Sequence, residues 1–370
     1  MAESWKFDFG AGPETEGYVK VADGAAFERG RGYGFYEAGS GAVSFRDRGE
    51  PAALSRDFCI PFGAAFAVQV PDGIYTVGAL IGDAAFETDT TIKGSAGQLL
   101  VHRQRTPAGH FEWIRFSVPV TDGTLRLAFS GLAPRLNALE VAPAQQVCTV
   151  YIAGDSTATN QPADGYPYSG WGQMLPHVFK ADAAVWNHAA SGRSSKSFIA
   201  EGRLDAILAT IKPYDYLIVQ FGHNDQKKDE ERRTEPFTAY KDHLRKYIEA
   251  AKERKAIPIL ATSIHRRFFA EDGSLADTHG DYLTAMRELA AEEEVPLLDM
   301  AEVSREWFEK LGPEATKSVF MWGAPGEFIR FPNGVEDNTH FQERGAIGLA
   351  KLAAEALKKL GIQPLSLYFR

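Results

Sequence analysis

The stretch Thr149-Val150-Tyr151-Ile152-Ala153-Gly154-Asp155-Ser156 decides the fold. Its apolar, β-branched run reads as a strand buried on both faces, the kind found in parallel sheets. The run stops at Gly154, and Asp155, Ser156 and Thr157 supply cap-type side chains for a following turn or helix. A serine so placed stands at the carboxyl end of a strand, where open α/β sheets bind their ligands. A nearby helix N-terminus would favour a developing anion there. Small polar residues after a strand are also ordinary caps, so the weight falls on what the rest of the chain brings to the same edge.

Downstream, strands and helices alternate. Ala183 to Asn187 is a candidate second strand, and apolar residues from Ser195 to Ile211 recur at helical spacing. Tyr216 to Phe221 is a buried strand. Phe237 to Arg254 reads as an amphipathic helix with many i,i+4 charge pairs. Ile257 to Thr262 is the next strand. Asp281 to Glu293 is a helix, Val295 to Asp299 a short strand, and Glu343 to Leu360 a last helix. Such a series predicts a parallel sheet with right-handed crossovers in a three-layer, flavodoxin-like α/β/α sandwich.

Upstream the pattern differs. Residues 1 to about 143 are rich in glycine, aromatics and alternating runs. Phe66 to Val70 and Ile74 to Val77 flank Pro71-Asp72-Gly73 as a β-hairpin would, and Ile114 to Val118 and Leu125 to Phe129 flank Thr121-Asp122-Gly123 likewise. Leu136 to Val141 reads as a closing strand. Together these predict an all-β sandwich of jelly-roll or galactose-binding-like type. Pro143 to Gln146 reads as a linker, so the expected domains are an accessory one at 1–145 and a catalytic one at 146–370.

The chain has 370 residues, 44% hydrophobic and 24% charged, an ordinary globular composition that fits one very large domain or two ordinary ones. A net charge of −9 argues against nucleic acid or an anionic membrane as partner, while leaving room for an acidic polysaccharide in a locally basic groove. No apolar stretch is long enough to span a bilayer. The start, Met1 to Phe9, lacks the charged and apolar regions of a signal peptide, so a cytoplasmic protein is expected. Cys59 and Cys148 lack metal spacing and read as buried thiols. There is no His-Glu-x-x-His motif and no glycine-rich phosphate loop after a strand, so neither metal nor cofactor is expected.

Each strand of the second domain ends in polar residues: Gly154-Asp155-Ser156, then Asn187 to Arg193, then Gly222-His223-Asn224-Asp225, then Thr262 to His265. Asp337-Asn338-Thr339-His340 follows near the end. In their order, the blocks Gly154-Asp155-Ser156, Gly192, Gly222-His223-Asn224-Asp225 and Asp337-x-x-His340 resemble the SGNH (GDSL-type) hydrolase family over roughly residues 148–360. Gly170-Trp171-Gly172-Gln173, Gly192 to Phe198 and Glu201-Gly202-Arg203 look most like its rhamnogalacturonan acetylesterase branch. Phe7-Asp8-Phe9-Gly10 is similar to the extra β-rich domain that some of those esterases carry.

The chemistry follows residue by residue. Ser156 is the candidate nucleophile and needs a base within hydrogen-bond reach. His340 suits that role because its proton affinity is near neutral pH. Asp337 lies three residues earlier, and on a turn or helix start both side chains share a face, so the carboxylate fixes the imidazole tautomer. The resemblance implies an oxyanion hole made by the backbone N–H groups of Ser156 and Gly192 and the side-chain amide of Asn224. Glycine permits close approach and an amide donates without titrating. Asp155 and Asp225 read as Asx-type braces. His223 stands between support and substrate contact. His188, His265 and Arg266 read as packing or loop residues, and the charges from Lys227 to Arg233 as a solvated face. Tyr166, Tyr168, Trp171 and Trp322 are candidates for a sugar platform, and Arg193, Lys196 and Arg203 for contacts with an acidic sugar chain.

The resulting expectation is a metal-independent serine esterase acting on an acetylated plant cell-wall polysaccharide or its oligosaccharides, rhamnogalacturonan first. The alternatives are another esterase, lipase or acetylxylan-type enzyme on the same fold, or a non-catalytic carbohydrate-binding protein.

Overall fold

The computed structural model describes residues 4–22, 25–36, 43–51 and 53–370. The chain divides into two compact units, residues 1–147 with Phe179–Ala184, and Cys148–Val178 with Val185–Arg370.

The first unit is built from β1 (Trp5–Phe9), β2 (Val19–Val21), β3 (Tyr33–Tyr36), β4 (Val43–Asp47), β5 (Asp57–Pro61) and β6 (Ala65–Gln69). It continues with β7 (Gly73–Gly82), β8 (Thr88–Lys93), β9 (Leu99–Thr106), β10 (Phe111–Val120), β11 (Thr124–Ala133) and β12 (Ala138–Pro143). Two five-stranded sheets form, ordered β10-β7-β12-β1-β2 and β3-β6-β11-β8-β9, with β4 and β5 as a separate pair. The expected sandwich is present. Its core is aromatic: Phe66 on β6 meets Phe9 and Phe7 on β1 edge-on, with ring centroids 4.8 and 5.1 Å apart, within the range where such pairs attract.

The two expected hairpins are not hairpins. β6 pairs with β11 and β7 with β10, so each turn carries the chain from one sheet to the other. The turns then lie side by side: Gly123 N–H donates to Asp72 Oδ1 at 2.8 Å, and Val70 N–H to Gly123 O at 3.1 Å. Turn residues between alternating runs mark a reversal without specifying whether the partner is the neighbouring strand or one across the core. The expected closing strand starts later, at Ala138, and lies in the middle of its sheet between β7 and β1. Cys59 is buried and Cys148 half-buried.

The second unit holds β13 (Cys148–Gly154), β14 (Tyr168–Ser169), β15 (Ala183–Asn187) from Val185 on, β16 (Tyr216–Gln220), β17 (Ile257–Ala261), β18 (Leu297–Leu298), β19 (Phe320–Gly323) and β20 (Val335–Gln342). Its helices are α1 (Trp171–Met174), α2 (Ser195–Ala200), α3 (Arg203–Leu208), α4 (Lys241–Glu253), α5 (Asp281–Glu292), α6 (Met300–Ala315) and α7 (Glu343–Lys359). The five-stranded sheet runs β15-β13-β16-β17-β18, with Val150 facing Tyr216 and Gly154 facing Gln220 in parallel register. This is the doubly wound order whose switch point lies beside the first strand.

The strands are apolar because helices cover both faces. On one side Phe198, Ile207, Leu244, Tyr247, Ile248 and Met286 pack on Tyr151, Ala153, Leu217, Val219 and Leu260. On the other, α1 lies so close that a Cβ on Gly172 would stand 2.9 Å from Ile152 Cδ1, and α7 packs on α1 and α6. The helical run 195–211 is broken at Gly202, whose φ of 72° is left-handed. Helix α4 is preceded by a wide π-type turn at Pro236–Tyr240. Helix α6, not anticipated, is capped by Asp299, whose carboxylate accepts from Glu302 N–H. Among the described residues no helix is long and apolar enough to cross a membrane.

Gly170 fits because the turn after β13 runs against it. A Cβ there would collide with the Thr159 carbonyl and stand 2.7 Å from Thr159 N. Gly170→Ala is expected to lower stability by roughly 1–3 kcal/mol, read as a fall in the denaturant midpoint, and to displace the Ser156 turn. An unchanged midpoint would mean that the turn yields freely.

Candidate active site

The ends of β13, β15 and β16 meet at the switch point, and a buried network fixes them. Asp155 is fully buried. Its Oδ1 accepts from Thr157 N–H at 2.9 Å and from the Thr157 hydroxyl at 2.7 Å, while Oδ2 faces His223 Nδ1 at 3.1 Å. Burial works against the charge, but His223 and the Thr157 donors outweigh it and hold the carboxyl below its ordinary pKa. Gln220 donates to Thr157 Oγ1 at 2.7 Å and accepts from the Trp171 indole. The turn carrying Ser156 is thereby tied to the block carrying His223 and Asn224. Asp225 has the same role deeper in the structure, accepting from Ser195 N–H and the Thr234 hydroxyl, so both aspartates are braces.

Asp337 and His340 come from β20, not from a turn or helix start as the sequence suggested. Phe320 on β19 faces Phe341, yet the next residue, Met321, faces Asp337, so Asn338, Thr339 and His340 bulge out of the ladder. Asp337 Oδ1 accepts from Thr339 N–H at 2.8 Å and His340 N–H at 3.0 Å, which closes the bulge. The three-residue spacing works because this bulge folds the histidine back over its own aspartate.

His340 Nδ1 lies 2.8 Å from Asp337 Oδ2, and Nε2 lies 2.8 Å from Ser156 Oγ. Against the cost of burial, the His340 bond and charge and the two backbone donors lower the Asp337 pKa to about 2. The carboxylate therefore stays ionised through the range where imidazole titrates. Its contribution to stability is present above the usual aspartate pKa and is lost as pH falls toward about 2. A fourth donor, the Tyr168 hydroxyl, reaches the same Oδ2 at 3.1 Å, and its ring stands edge-on to His340 at 5.7 Å.

Facing Ser156 are Gly192 and Asn224. Gly192 has a φ of 82°, a left-handed conformation that suits glycine. Among the described residues no hydrogen bond is made by the backbone N–H groups of Ser156 or Gly192. The Asn224 amide spends one proton on the Arg193 carbonyl at 3.0 Å, which aims the group and leaves the other proton available.

These residues line a cleft of about 490 Å³ with His223, Gln161, Lys227, Arg232 and Arg266. Three cationic side chains thus stand in a cleft whose lone carboxylate is Asp337. Arg232 is paired with Asp229, but Arg266 donates only to neutral acceptors, the Thr278 carbonyl and hydroxyl, the His223 carbonyl and the Gln226 amide. Burial pulls its pKa down, and the Asp155 charge opposes that. The run from Lys227 to Arg233 is mostly the solvated face expected from sequence, and Arg266 lies on the loop after β17, but Lys227, Arg232 and Arg266 also line the cleft. Arg266 follows β17, and extending the strand-end rule one residue past His265 finds it.

Other candidates lie outside the cleft or are engaged elsewhere. Trp171 is 0% exposed with its indole bonded to Gln220, so it offers no face to a sugar. Arg193 and Arg203 both close on Glu201, and Lys196 donates to the Glu230 carbonyl. Trp322 lies between Arg267 and Lys317, with its indole on Asn338. Tyr166 is exposed in a neighbouring groove. His188 is packed against Tyr151 and Trp186, and burial lowers its pKa to about 4.

Among the described residues, His265, Asp277 and His279 form the cluster whose donor atoms lie near enough to hold a metal, within 4.8 Å of one another. They fit one poorly. Arg305 Nη2 already lies 3.0 Å from His265 Nε2, and the charges of Arg305, Arg287 and Arg266 oppose positive charge on these histidines.

Residues 152–346 match the family described as GDSL-like lipase/acylhydrolase, and residues 5–139 match one described as Beta-agarase/YXIM esterase-like, galactose-binding domain-like. The chain is 43% identical over 213 residues to rhamnogalacturonan acetylesterase RhgT of Bacillus subtilis, covering 58% of this chain and 90% of RhgT. It is 32% identical over 376 residues to the uncharacterized esterase YxiM of the same organism, covering 97% of this chain and 91% of YxiM. The crystal structure of YxiM aligns with a TM-score of 0.54 at 30% identity, over 98% of this chain and 99% of that one.

Two outcomes are expected from this geometry. Tyr168→Phe removes a hydrogen bond to a charged group and should lower kcat on a small acetyl ester about 10-fold, with KM little changed; an unaltered kcat would show that the hydroxyl is idle. Hydrolysis should persist after exhaustive chelation, whereas loss of activity restored by one divalent ion would place a metal in the reaction.

Proposed function

Because the chain belongs to the GDSL-like lipase/acylhydrolase family, we propose that it is a serine esterase that removes acetyl groups from a plant cell-wall polysaccharide or its oligosaccharides, rhamnogalacturonan first. The observation that carries the catalytic assignment is the unbroken line from Ser156 Oγ through His340 to Asp337, with both links at 2.8 Å.

In this reading Ser156 Oγ attacks the acetyl carbonyl while His340 Nε2 takes its proton. Asp337 stays ionised and stabilises the imidazolium that forms. Negative charge gathers on the carbonyl oxygen, where the Ser156 and Gly192 N–H groups and the Asn224 amide converge. Collapse breaks the ester bond, and His340 returns the proton to the departing sugar oxygen. Water then enters, gives its proton to His340 and attacks the acetyl-enzyme, releasing acetate and restoring the Ser156 hydroxyl.

The substrate assignment draws on RhgT, named a rhamnogalacturonan acetylesterase, and on the charge of the cleft. Lys227 and Arg266 suit a uronate-bearing chain, since carboxylates pair with ammonium and guanidinium groups. This charge distribution also favours an acidic sugar over a neutral one such as xylan.

Ser156→Ala should cut kcat at least about 10⁴-fold in a folded protein, and Asn224→Ala about 10²–10³-fold with a smaller change in KM. Wild-type rates should fall from acetyl to butyryl to octanoyl esters, with acetate released from acetylated rhamnogalacturonan. Turnover that survives in folded Ser156→Ala sinks the mechanism, and dominant octanoyl turnover without acetate release from sugars sinks the substrate.

A further inference from the structure

Beside the catalytic cleft lies a second groove of about 770 Å³, lined by Asp164, Tyr166, Glu327, Phe328, Ile329, Arg330 and Phe331. Its character differs from the cationic cleft: four of these seven side chains are apolar or aromatic, and two are carboxylates. Tyr166 is 58% exposed and Ile329 103% exposed. Such residues normally bury their surface, and here both face one groove beside the half-buried Phe328 and Phe331.

The groove is built, not slack. It is shaped by the connection between β19 and β20, the strand that carries Asp337 and His340. Phe331 N–H donates to Phe328 O at 2.9 Å, Gly334 N–H to Phe331 O at 2.9 Å, and Gly326 N–H to Pro332 O at 3.1 Å. Ala324 N–H donates to the Glu327 carboxylate at 2.9 Å. The Phe328 ring lies on Gly323, where a Cβ would stand 2.6 Å from it. Ile329 is at the tip of this turn and contributes nothing visible to the fold.

The groove adjoins the catalytic cleft across a single ring. Tyr168 lines the cleft, and its ring lies 5.7 Å from His340 and 5.7 Å from Phe331, which lines the groove. A chain with its acetyl group at Ser156 would reach the groove by crossing over this ring. Flat apolar surfaces beside a polar rim suit a pyranose ring, whose C–H face packs on aromatic and aliphatic side chains while its hydroxyls face water. At the rim, Arg330 and Asp164 stand 3.8 Å apart, both solvent-exposed.

We infer that this groove is a subsite for the portion of the sugar chain next to the acetylated residue, so that the enzyme distinguishes oligosaccharides from small acetyl esters. This rests on the proposed acetylesterase function. It assigns the 324–334 connection to chain recognition and leaves bond breaking to the cleft.

The test compares wild type with Ile329→Ser and Phe328→Ala. Each is assayed on p-nitrophenyl acetate and on acetylated rhamnogalacturonan oligosaccharides of increasing length. Wild-type KM should fall as the oligosaccharide lengthens. In Ile329→Ser, KM for the longer oligosaccharides should rise roughly 10-fold, with kcat on p-nitrophenyl acetate near wild type. Ile329 is fully exposed, so this variant keeps the fold even if Phe328→Ala does not. Wild-type acetate release with a KM unmoved by Ile329→Ser overturns the subsite. So does a wild-type dimer that Ile329→Ser dissociates without changing KM, because the groove would then seat a second copy of the chain. A wild type that hydrolyses p-nitrophenyl acetate but releases no acetate from any oligosaccharide overturns the carbohydrate reading and the subsite with it, and is recognised without the variants.

Discussion

The buried carboxylate of Asp155 is the constraint on which the site depends. A charge removed from water is costly unless donors surround it, and here the donors come from the two segments that must be aligned. Thr157 belongs to the turn that presents Ser156, and His223 to the block that presents Asn224. Satisfying one carboxylate therefore sets the spacing between the proposed nucleophile and one proposed oxyanion donor. Gln220 and Trp171 extend the same network beneath the sheet edge, which is why that tryptophan is buried and cannot meet a sugar.

The opposite wall obeys a different constraint. Asp337 and His340 sit on a strand where a regular ladder would point alternate side chains to opposite faces. The bulge at Asn338 to His340 breaks that alternation and is locked by backbone donors to the same aspartate that later receives the imidazole. One carboxylate thus shapes the backbone with one oxygen and orients the ring with the other. Tyr168, on β14 beside β20, reaches that second oxygen from outside. The cleft between these walls is cationic although the whole chain carries a net charge of −9, so the overall charge says little about the ligand the cleft prefers.

Much of this was legible in the sequence, and the failures share a physical cause. Buried parallel strands announce themselves as continuous apolar runs, and the polar residues after them lie at one edge by topology, so Ser156, Gly192 and Asn224 could be placed together without coordinates. Asp337 and His340 could be paired by spacing, but not assigned to a bulged strand, because the bulge depends on β19 as partner. Lys227, Arg232 and Arg266 look like any surface charges until the loops fold over the cleft. Trp171 reads as a platform because a sequence does not record which face of a ring is covered. The two false hairpins fail in the same way: Asp72 and Gly123 mark reversals, and only the packed core decides which strands pair.

Those reversals bear on how the first unit assembles. At β6/β7 and β10/β11, neighbours in sequence lie in different sheets, and several sheet partners are distant: Trp5 faces Val141, and Gly82 faces Phe111. Pairing of this kind pays the loop-closure entropy before any ladder rewards it, which makes such sandwiches slow folders. Strand β1 finds its antiparallel partner only when Ala138 to Val141 exist. During synthesis, then, β1 must wait for the last strand of its own sheet, with Phe7 and Phe9 uncovered in the interval, a period in which apolar segments are open to aggregation and to chaperones.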